Sequence, residues 1–138
     1  MTTPHKRAAV VVAAARACVG TRFRPQGRTP GSGLDCVGVV LQAARAVGIV
    51  PAAVPSYALS GETAAMLVAA LADAGCVAVS DAAPGDILAL APAARQRHLA
   101  IVTPAGVVHA HAGLGRVVEG PIDPDWTLLG IWRLPGVH

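Results

Sequence analysis

The spacing of hydrophobic and polar positions divides the chain into a helical part followed by a β-rich part. Long alanine- and valine-rich runs predict helices over 5–18 and over Asp35 to Val47, the second ended by a left-handed Gly48. A third helix is predicted to begin at a Ser60 N-cap and to end at Gly75. Its apolar face is expected to comprise Met66, Leu67, Ala70 and Leu71.

From Asp86 onward, short apolar runs alternate with proline and glycine. This pattern predicts strands at 86–91, 97–103, 106–111, 115–119 and 128–134. Helices that precede an antiparallel sheet of about five strands indicate an α+β domain. The segments 24–33 and 49–59 are predicted to be linkers that border a cleft, and Pro51 and Pro55 are expected to extend the second one.

Length and composition indicate one globular domain over residues 1–138. A chain of this size buries roughly two-thirds of its unfolded surface, which is enough for one core. The 54% hydrophobic and 14% charged content argues against disorder. The net charge of +3 comes from scattered basic residues, so we expect no nucleic-acid partner and only weak attraction to an anionic polymer such as a cell wall.

The N-terminal segment imitates an export signal, because Lys6-Arg7 precede an alanine-rich apolar run. Arg16 interrupts that run, and cleavage after it would remove the element that leads into Gly20. We therefore interpret this segment as the first helix of a protein that is synthesised in the bacterial cytoplasm without a clear signal peptide. No apolar run in the sequence approaches the length of a membrane span.

A cysteine stands where a turn-rich segment becomes an apolar helix, in Gly33-Leu34-Asp35-Cys36-Val37-Gly38. Asp35 is the predicted N-cap, and unpaired N–H groups at a helix start favour a thiolate, so we expect a lowered pKa for Cys36. Cys18 and Cys76 lie among alanines and valines, and we expect both to be inert. Three cysteines without a disulfide spacing predict reduced thiols.

Two histidines lie on apolar runs that predict a β-hairpin closed at Thr103-Pro104-Ala105-Gly106. A loop of two or four residues would bring His98, His109 and His111 to one face, with His111 opposite His98 and His109 diagonal to it. A three-residue loop with a bulge at Gly106 would turn His109 to the other face. A cysteine followed by two strand-borne histidines is the minimal set for a papain-like thiol hydrolase, which requires the even loop.

Successive motifs resemble those of the NlpC/p60 cysteine endopeptidases over nearly the whole chain. They are Gly20-Thr21-Arg22-Phe23-Arg24, Leu34-Asp35-Cys36-Val37-Gly38, Pro84-Gly85-Asp86-Ile87-Leu88, His98-Leu99-Ala100-Ile101-Val102 and Val107-Val108-His109-Ala110. The segments Arg116-Val117-Val118-Glu119 and Gly130-Ile131-Trp132-Arg133 are similar to the short branch found in phages, prophages and gene transfer agents. The resemblance implies a papain-like fold and a tail-associated cell-wall peptidase without a cofactor.

The resemblance also implies roles for individual residues in amide hydrolysis through a thioester. Cys36 is expected to be the nucleophile, His98 the general base, and His109 the residue that orients the His98 ring. The resemblance assigns Asp35 to a free substrate amine, in a peptidoglycan stem peptide. Phe23 stands at the substrate-binding position where many relatives have Tyr, and Val37 replaces a frequent Ser, so these two departures bear on substrate recognition.

Two alternatives remain beside the peptidase. Cys36, His98, His109 and His111 could ligate zinc, but no nearby Cys or His pair completes a recognisable site, and we expect no metal. The domain could instead be a catalytically vestigial, papain-like adaptor in a phage-like tail; exposed apolar patches and slow thiol alkylation would favour this alternative. We expect His111 to face solvent, and Trp126 to be a core or rim anchor.

Overall fold

The computed structural model describes residues 4–49, 64–94 and 96–137. Its helices are α1 (Pro4–Ala17), α2 (Cys36–Ala46) and α3 (Ala64–Asp73). Its strands are β1 (Arg28–Thr29), β2 (Gly33–Leu34), β3 (Val77–Val79), β4 (Ile87–Ala91), β5 (His98–Thr103), β6 (Gly106–His111), β7 (Arg116–Gly120) and β8 (Thr127–Arg133). The predicted order of helices followed by antiparallel strands is confirmed, and the fold is α+β.

The first two helices lie close to their predicted bounds. Helix α2 begins behind an Asp35 N-cap and is followed by Gly48 at φ +79°, as the sequence indicates. Helix α3 ends before Gly75, which has φ +87°. The predicted Ser60 cap and the extended Pro51–Pro55 crossing lie outside the described residues. No helix in the described ranges is long and apolar enough to span a membrane.

The main sheet has six antiparallel strands in the order β3-β8-β4-β5-β6-β7. The five predicted strands correspond to β4 through β8, and β3 is an additional edge strand paired with β8. The segment 24–33, expected to be a linker, instead contributes to a second, two-stranded antiparallel sheet of β1 and β2. Gly33 at φ +127° permits this arrangement, because a side chain there would collide with Arg24.

The core lies mainly between the helices and one face of the main sheet. Val11 of α1 and Val39 of α2 are fully buried there, together with Ile87, Leu99 and Ile101 from the sheet. The opposite face carries a smaller apolar cluster, formed by Leu88, Leu90, Ala100, Val107 and Ile131. The two clusters follow the alternation of side chains along β4 and β5, so this alternation fixes which strand positions can face α2.

The Pro84-Gly85-Asp86 motif has a structural role at the start of β4. The fully buried Asp86 carboxylate accepts hydrogen bonds from Nε of Arg133 at 2.9 Å and from its NH2 at 2.8 Å. It also accepts a bond from the Ala83 N–H at 2.9 Å. The Asp86 carboxylate raises the pKa of Arg133. This bidentate pair holds β8 against β4 in the middle of the sheet.

Candidate active site

A cavity of about 550 Å³ opens beside the first turn of α2 and the adjoining ends of β5 and β6. Four of the five predicted site residues line it, namely Phe23, Asp35, Cys36 and His98. The fifth, His109, lies behind His98 and contacts its ring. The fold therefore brings together residues from a loop, a helix and two strands that are far apart in the sequence.

Cys36 is the first residue of α2, and its position is fixed by the N-cap before it. The Asp35 Oδ1 accepts the Gly38 N–H at 2.8 Å, which satisfies one of the unpaired donors of the helix start. A Cβ at Gly38 would collide with the carbonyl oxygen of Gly27, so glycine allows the segment before β1 to approach the helix. The Cys36 side chain is buried, and the backbone N–H groups of Leu99 and Val37 favour its thiolate form.

The thiol of Cys36 is protonated in the resting protein. Its pKa is raised to about 12, mainly by burial and to a smaller extent by the Asp35 charge. The backbone N–H groups and the Arg28 charge oppose this shift but do not outweigh it. The lowered pKa expected from the helix N-terminus is therefore wrong for the resting site, because burial is the larger effect. Burial also raises the pKa of Cys76, to about 11.

The hairpin between β5 and β6 has the even loop that the catalytic interpretation requires. Thr103 pairs with Gly106, so only two residues form the turn. Thr103 Oγ1 accepts the N–H of Ala105 at 3.1 Å, which closes the loop. Gly106 has φ +133°, and a Cβ there would collide with the carbonyl oxygen of Gly120. The three-residue loop is excluded, since Gly106 stays within the ladder instead of forming a bulge.

His98 and His109 meet through their ring nitrogens as the even loop predicts. Nε2 of His98 lies 2.7 Å from Nδ1 of His109, and the rings are nearly perpendicular. This hydrogen bond leaves Nδ1 as the remaining ring nitrogen of His98. Burial lowers the pKa of His98 to about 3 and that of His109 to about 4, with smaller contributions from the neighbouring histidines. Both rings are neutral in the resting protein.

His111 lines the cavity and is only half-exposed, so the expectation that it faces solvent is wrong in part. Its Nδ1 accepts the Leu114 N–H at 3.0 Å, which places the proton of the neutral ring on Nε2. Its ring centroid lies 5.6 Å from that of His109. His111 thus stabilises the turn after β6 at the edge of the cavity.

Trp126 packs against the histidines at the rim, in agreement with its prediction as a core or rim anchor. Its ring centroid lies 5.3 Å from that of His98 and 5.6 Å from that of His109, with the rings nearly perpendicular in both pairs. These edge contacts restrict rotation of the His98 ring. Trp126 also lines the cavity.

Two arginines near the site were not identified from the sequence. Arg28 donates from NH1 to Oδ1 of Asp35 at 2.6 Å, and Arg97 lines the cavity beside His98. Arg97 could have been found from its position directly before His98. Arg28 could not, because it lies in a segment without hydrophobic periodicity and its partner is set by the turn between β1 and β2.

The described residues contain no group of three or more His, Cys, Asp or Glu side chains that could hold a metal ion. One ring nitrogen of each histidine already has a hydrogen-bond partner, because His98 and His109 hydrogen-bond each other and Nδ1 of His111 accepts a backbone N–H.

Solved structures with a similar fold are NlpC/p60 domains. The chain is similar to the NlpC/p60 domain of the peptidoglycan hydrolase SagA, with a TM-score of 0.59 and 22% identity over 88% of this chain and 95% of that one. It is also similar to the P60 domain of the antigen MAP1204 from M. avium subspecies paratuberculosis, with a TM-score of 0.59 and 17% identity over 93% and 94% of the two chains. No protein-family profile and no curated protein matches the sequence. At these identities the comparison establishes the NlpC/p60-like fold.

Proposed function

We propose that the protein is a thiol endopeptidase that hydrolyses amide bonds in peptidoglycan stem peptides. One observation carries this proposal: Cys36 and His98 line the same cavity, and His109 holds the far nitrogen of the His98 ring at 2.7 Å. The similarity to NlpC/p60 domains, one of them from a peptidoglycan hydrolase, supports the substrate class. In this proposal Cys36 is the nucleophile, His98 the acid and base, and His109 the positioning residue.

The reaction starts from a neutral thiol and a neutral imidazole, because burial disfavours a charge on either group alone. As a peptide enters and excludes water, the Cys36 proton moves to Nδ1 of His98 and the sulfur attacks the carbonyl carbon. The resulting imidazolium and the anionic tetrahedral intermediate stabilise each other in a medium of low dielectric constant. His98 then gives the proton to the leaving amine, and water hydrolyses the thioester with His98 again acting as base.

The oxyanion of the tetrahedral intermediate needs a hydrogen-bond donor at the start of α2. The N–H groups of Gly38 and Val39 are bonded to Asp35, and the Val37 N–H favours the thiolate form of Cys36. The Cys36 N–H, at the first helical position, is the donor that we assign to the oxyanion.

Asp35 and Phe23 are proposed to contact the substrate. Both hydrogen bonds to the Asp35 side chain end on Oδ1, which leaves Oδ2 for a polar group of the peptide. Phe23 lines the cavity without a hydroxyl, so it supplies an apolar surface where a tyrosine would also supply a donor.

We also propose that the protein is a component of a phage-like tail and acts in the cell wall after its synthesis in the cytoplasm. This setting rests on the order of the sequence motifs and on their resemblance to the phage branch. Immunoblotting of purified particles from a producing strain would test it. Recovery of the protein only in the particle-free cytosolic fraction would contradict it.

The peptidase activity is tested by incubating the protein with purified stem peptides and identifying the fragments by mass spectrometry. We expect one defined amide bond to be cleaved by the native protein and no cleavage by Cys36→Ala or His98→Ala. Cys18→Ala is the matched control, because it removes another buried thiol that does not line this cavity, and it should retain activity. Equal cleavage by native protein and Cys36→Ala would contradict the mechanism.

Two observations favour the second candidate, a vestigial adaptor of a phage-like tail. Cys36 is buried with a raised pKa, which slows alkylation, and Leu128 and Leu129 of β8 are 51% and 49% exposed. An adaptor would bind tail proteins with the same affinity in Cys36→Ala and native forms while cleaving no stem peptide. Stem-peptide cleavage that depends on Cys36 would exclude this candidate.

A further inference from the structure

The charged residues that line the cavity differ in whether they form an ion pair. Among the described residues that line it, Asp35 is the only carboxylate and Arg97 the only arginine or lysine. Asp35 forms an ion pair with Arg28, at 2.6 Å between NH1 and Oδ1, and both side chains are largely buried. The pair is close to neutral, so the cavity keeps the positive charge of Arg97.

The Arg97 guanidinium has donors that the described residues do not satisfy. Its NH1 donates to the carbonyl oxygens of Gln96 at 2.8 Å and of Ala94 at 3.4 Å. Its Nε is buried and has no hydrogen-bond partner within the described ranges. A buried donor without a partner is costly to a folded protein, and in native structures such an atom is explained by strain, by a functional role or by a bound water or ion.

We propose that Arg97 determines the substrate specificity of this cavity by binding a free carboxylate next to the scissile amide. The inference rests on the proposed peptidase function and adds the chemical class of the neighbouring substrate group. A guanidinium presents parallel N–H donors that match the two oxygens of a carboxylate. Arg97 and His98 line the same cavity, so a carboxylate bound by Arg97 lies in the cavity where His98 would act on the scissile amide.

The Arg28–Asp35 pair reinforces this selectivity. An unpaired Asp35 at the cavity wall would repel a substrate carboxylate and attract an amine. Because Arg28 neutralises most of that charge, the repulsion is reduced and an anionic group can bind at Arg97.

The test compares two stem peptides that differ at one group. In the first, the residue beside the scissile amide carries a free carboxylate, and in the second that carboxylate is a carboxamide. For the native protein we expect kcat/KM to be about ten- to a hundredfold higher for the carboxylate peptide, the range given by one charge-assisted hydrogen-bonded contact. Most of the difference should appear in KM, because the contact is present in both ground and transition states.

Three variants establish which residue causes the preference. Arg97→Gln should bring the ratio of the two kcat/KM values close to one. Arg97→Lys should retain part of the preference, since it keeps the charge and loses the planar fork. Arg45→Gln is the matched control, because it removes an exposed arginine from the last turn of α2, and it should keep the native ratio.

These measurements distinguish an incorrect role for Arg97 from an absence of peptidase activity. Equal cleavage of both peptides by the native protein, or an unchanged preference in Arg97→Gln, would overturn the role of Arg97 and leave the peptidase intact. If neither peptide is cleaved, the peptidase proposal fails, and the affinities of the two peptides then test the role of Arg97. Titration of Cys36→Ala, followed by Trp126 fluorescence, should then show tighter binding of the carboxylate peptide that Arg97→Gln abolishes, and equal affinities would overturn it.

Discussion

Replacement of His109 by alanine tests the central assignment of the site, because His109 neither lines the cavity nor can contact the scissile bond. Its ring acts on His98 alone, through the 2.7 Å hydrogen bond between Nδ1 of His109 and Nε2 of His98. In the resting protein this bond joins two neutral rings. In the transition state His98 is an imidazolium, and the same bond becomes charge-assisted.

The expected loss follows from the difference between those two states. A hydrogen bond to a charged group contributes about 1.5–3 kcal/mol, against about 0.5–1.5 kcal/mol for a neutral pair. Loss of the charge-assisted bond and of the fixed tautomer together should lower kcat about ten- to a thousandfold.

The assay is hydrolysis of one stem peptide across pH by native protein, His109→Ala, His109→Asn and His111→Ala, each shown to be folded by circular dichroism. His109→Asn should recover part of the rate, because its amide oxygen can accept the Nε2–H bond that His109 Nδ1 accepts. His111→Ala should lower the rate by about threefold or less, because Nδ1 of His111 accepts a hydrogen bond from the turn after β6. A large loss in His111→Ala beside a near-native rate in His109→Ala would refute the assignment.

Three further predictions concern other properties of the protein. Iodoacetamide at pH 7 should label Cys36 slowly in the resting protein, because burial holds its thiol protonated with a pKa of about 12; labelling of Cys36 well before Cys18 and Cys76 would contradict this resting state. A chelator should leave stem-peptide cleavage unchanged, whereas stoichiometric zinc lost together with activity would establish a metal mechanism instead. Asp86→Asn should lower the free energy of unfolding by about 3–5 kcal/mol in urea titrations, because it leaves Arg133 without its carboxylate, and a double-mutant cycle with Arg133 should show strong coupling.

Acid should destabilise the folded state more than surface charges alone predict. His98 and His109 bind protons at an ordinary pKa of 6.5 when unfolded, but at about 3 and about 4 when folded. The unfolded chain therefore binds more protons below pH 6.5, and stability is lost as the pH falls from there towards 4, by up to about 1.4 kcal/mol per pH unit for each histidine. Urea unfolding at pH 7 and pH 5 measures this loss, and His98→Gln should reduce it; a midpoint independent of pH would show that the rings are not neutral in the fold.

Much of the site follows from local sequence, because its geometry is set by short-range rules. The Asp35 cap and Gly48 define both ends of α2 within the segment itself. The parity of the hairpin depends only on the turn between Thr103 and Gly106, and this parity decides whether His109 and His98 share a face. These features need no knowledge of tertiary packing. The sequence predicts both ends of α2 correctly, and it leaves the even loop and the three-residue loop as alternatives, of which the catalytic interpretation requires the even one.

Other features depend on contacts between distant segments and could not be predicted. Strand β3 has three residues, which are too few to show a hydrophobic period. It forms because it pairs with the edge of β8. The pKa of Cys36 was expected to fall, and it rises because burial of the thiol outweighs the backbone N–H groups of Leu99 and Val37, which lower it. The Arg28 ion pair depends on the two-residue ladder of β1 and β2, which no hydrophobic pattern marks. Burial and long-range pairing therefore decide the electrostatics of the site.

The sheet order has a consequence for when the proposed activity can arise during synthesis. β8 is the strand latest in the sequence, yet it is inserted between β3 and β4. A ribosome must therefore complete Arg133 before the sheet can close, and pairing of such distant segments is slow compared with helix formation. Trp126, which packs against His98, immediately precedes this strand. A nascent chain would carry the nucleophile helix long before it carried an ordered base, so cleavage of cell-wall peptides would begin only after the domain has left the ribosome.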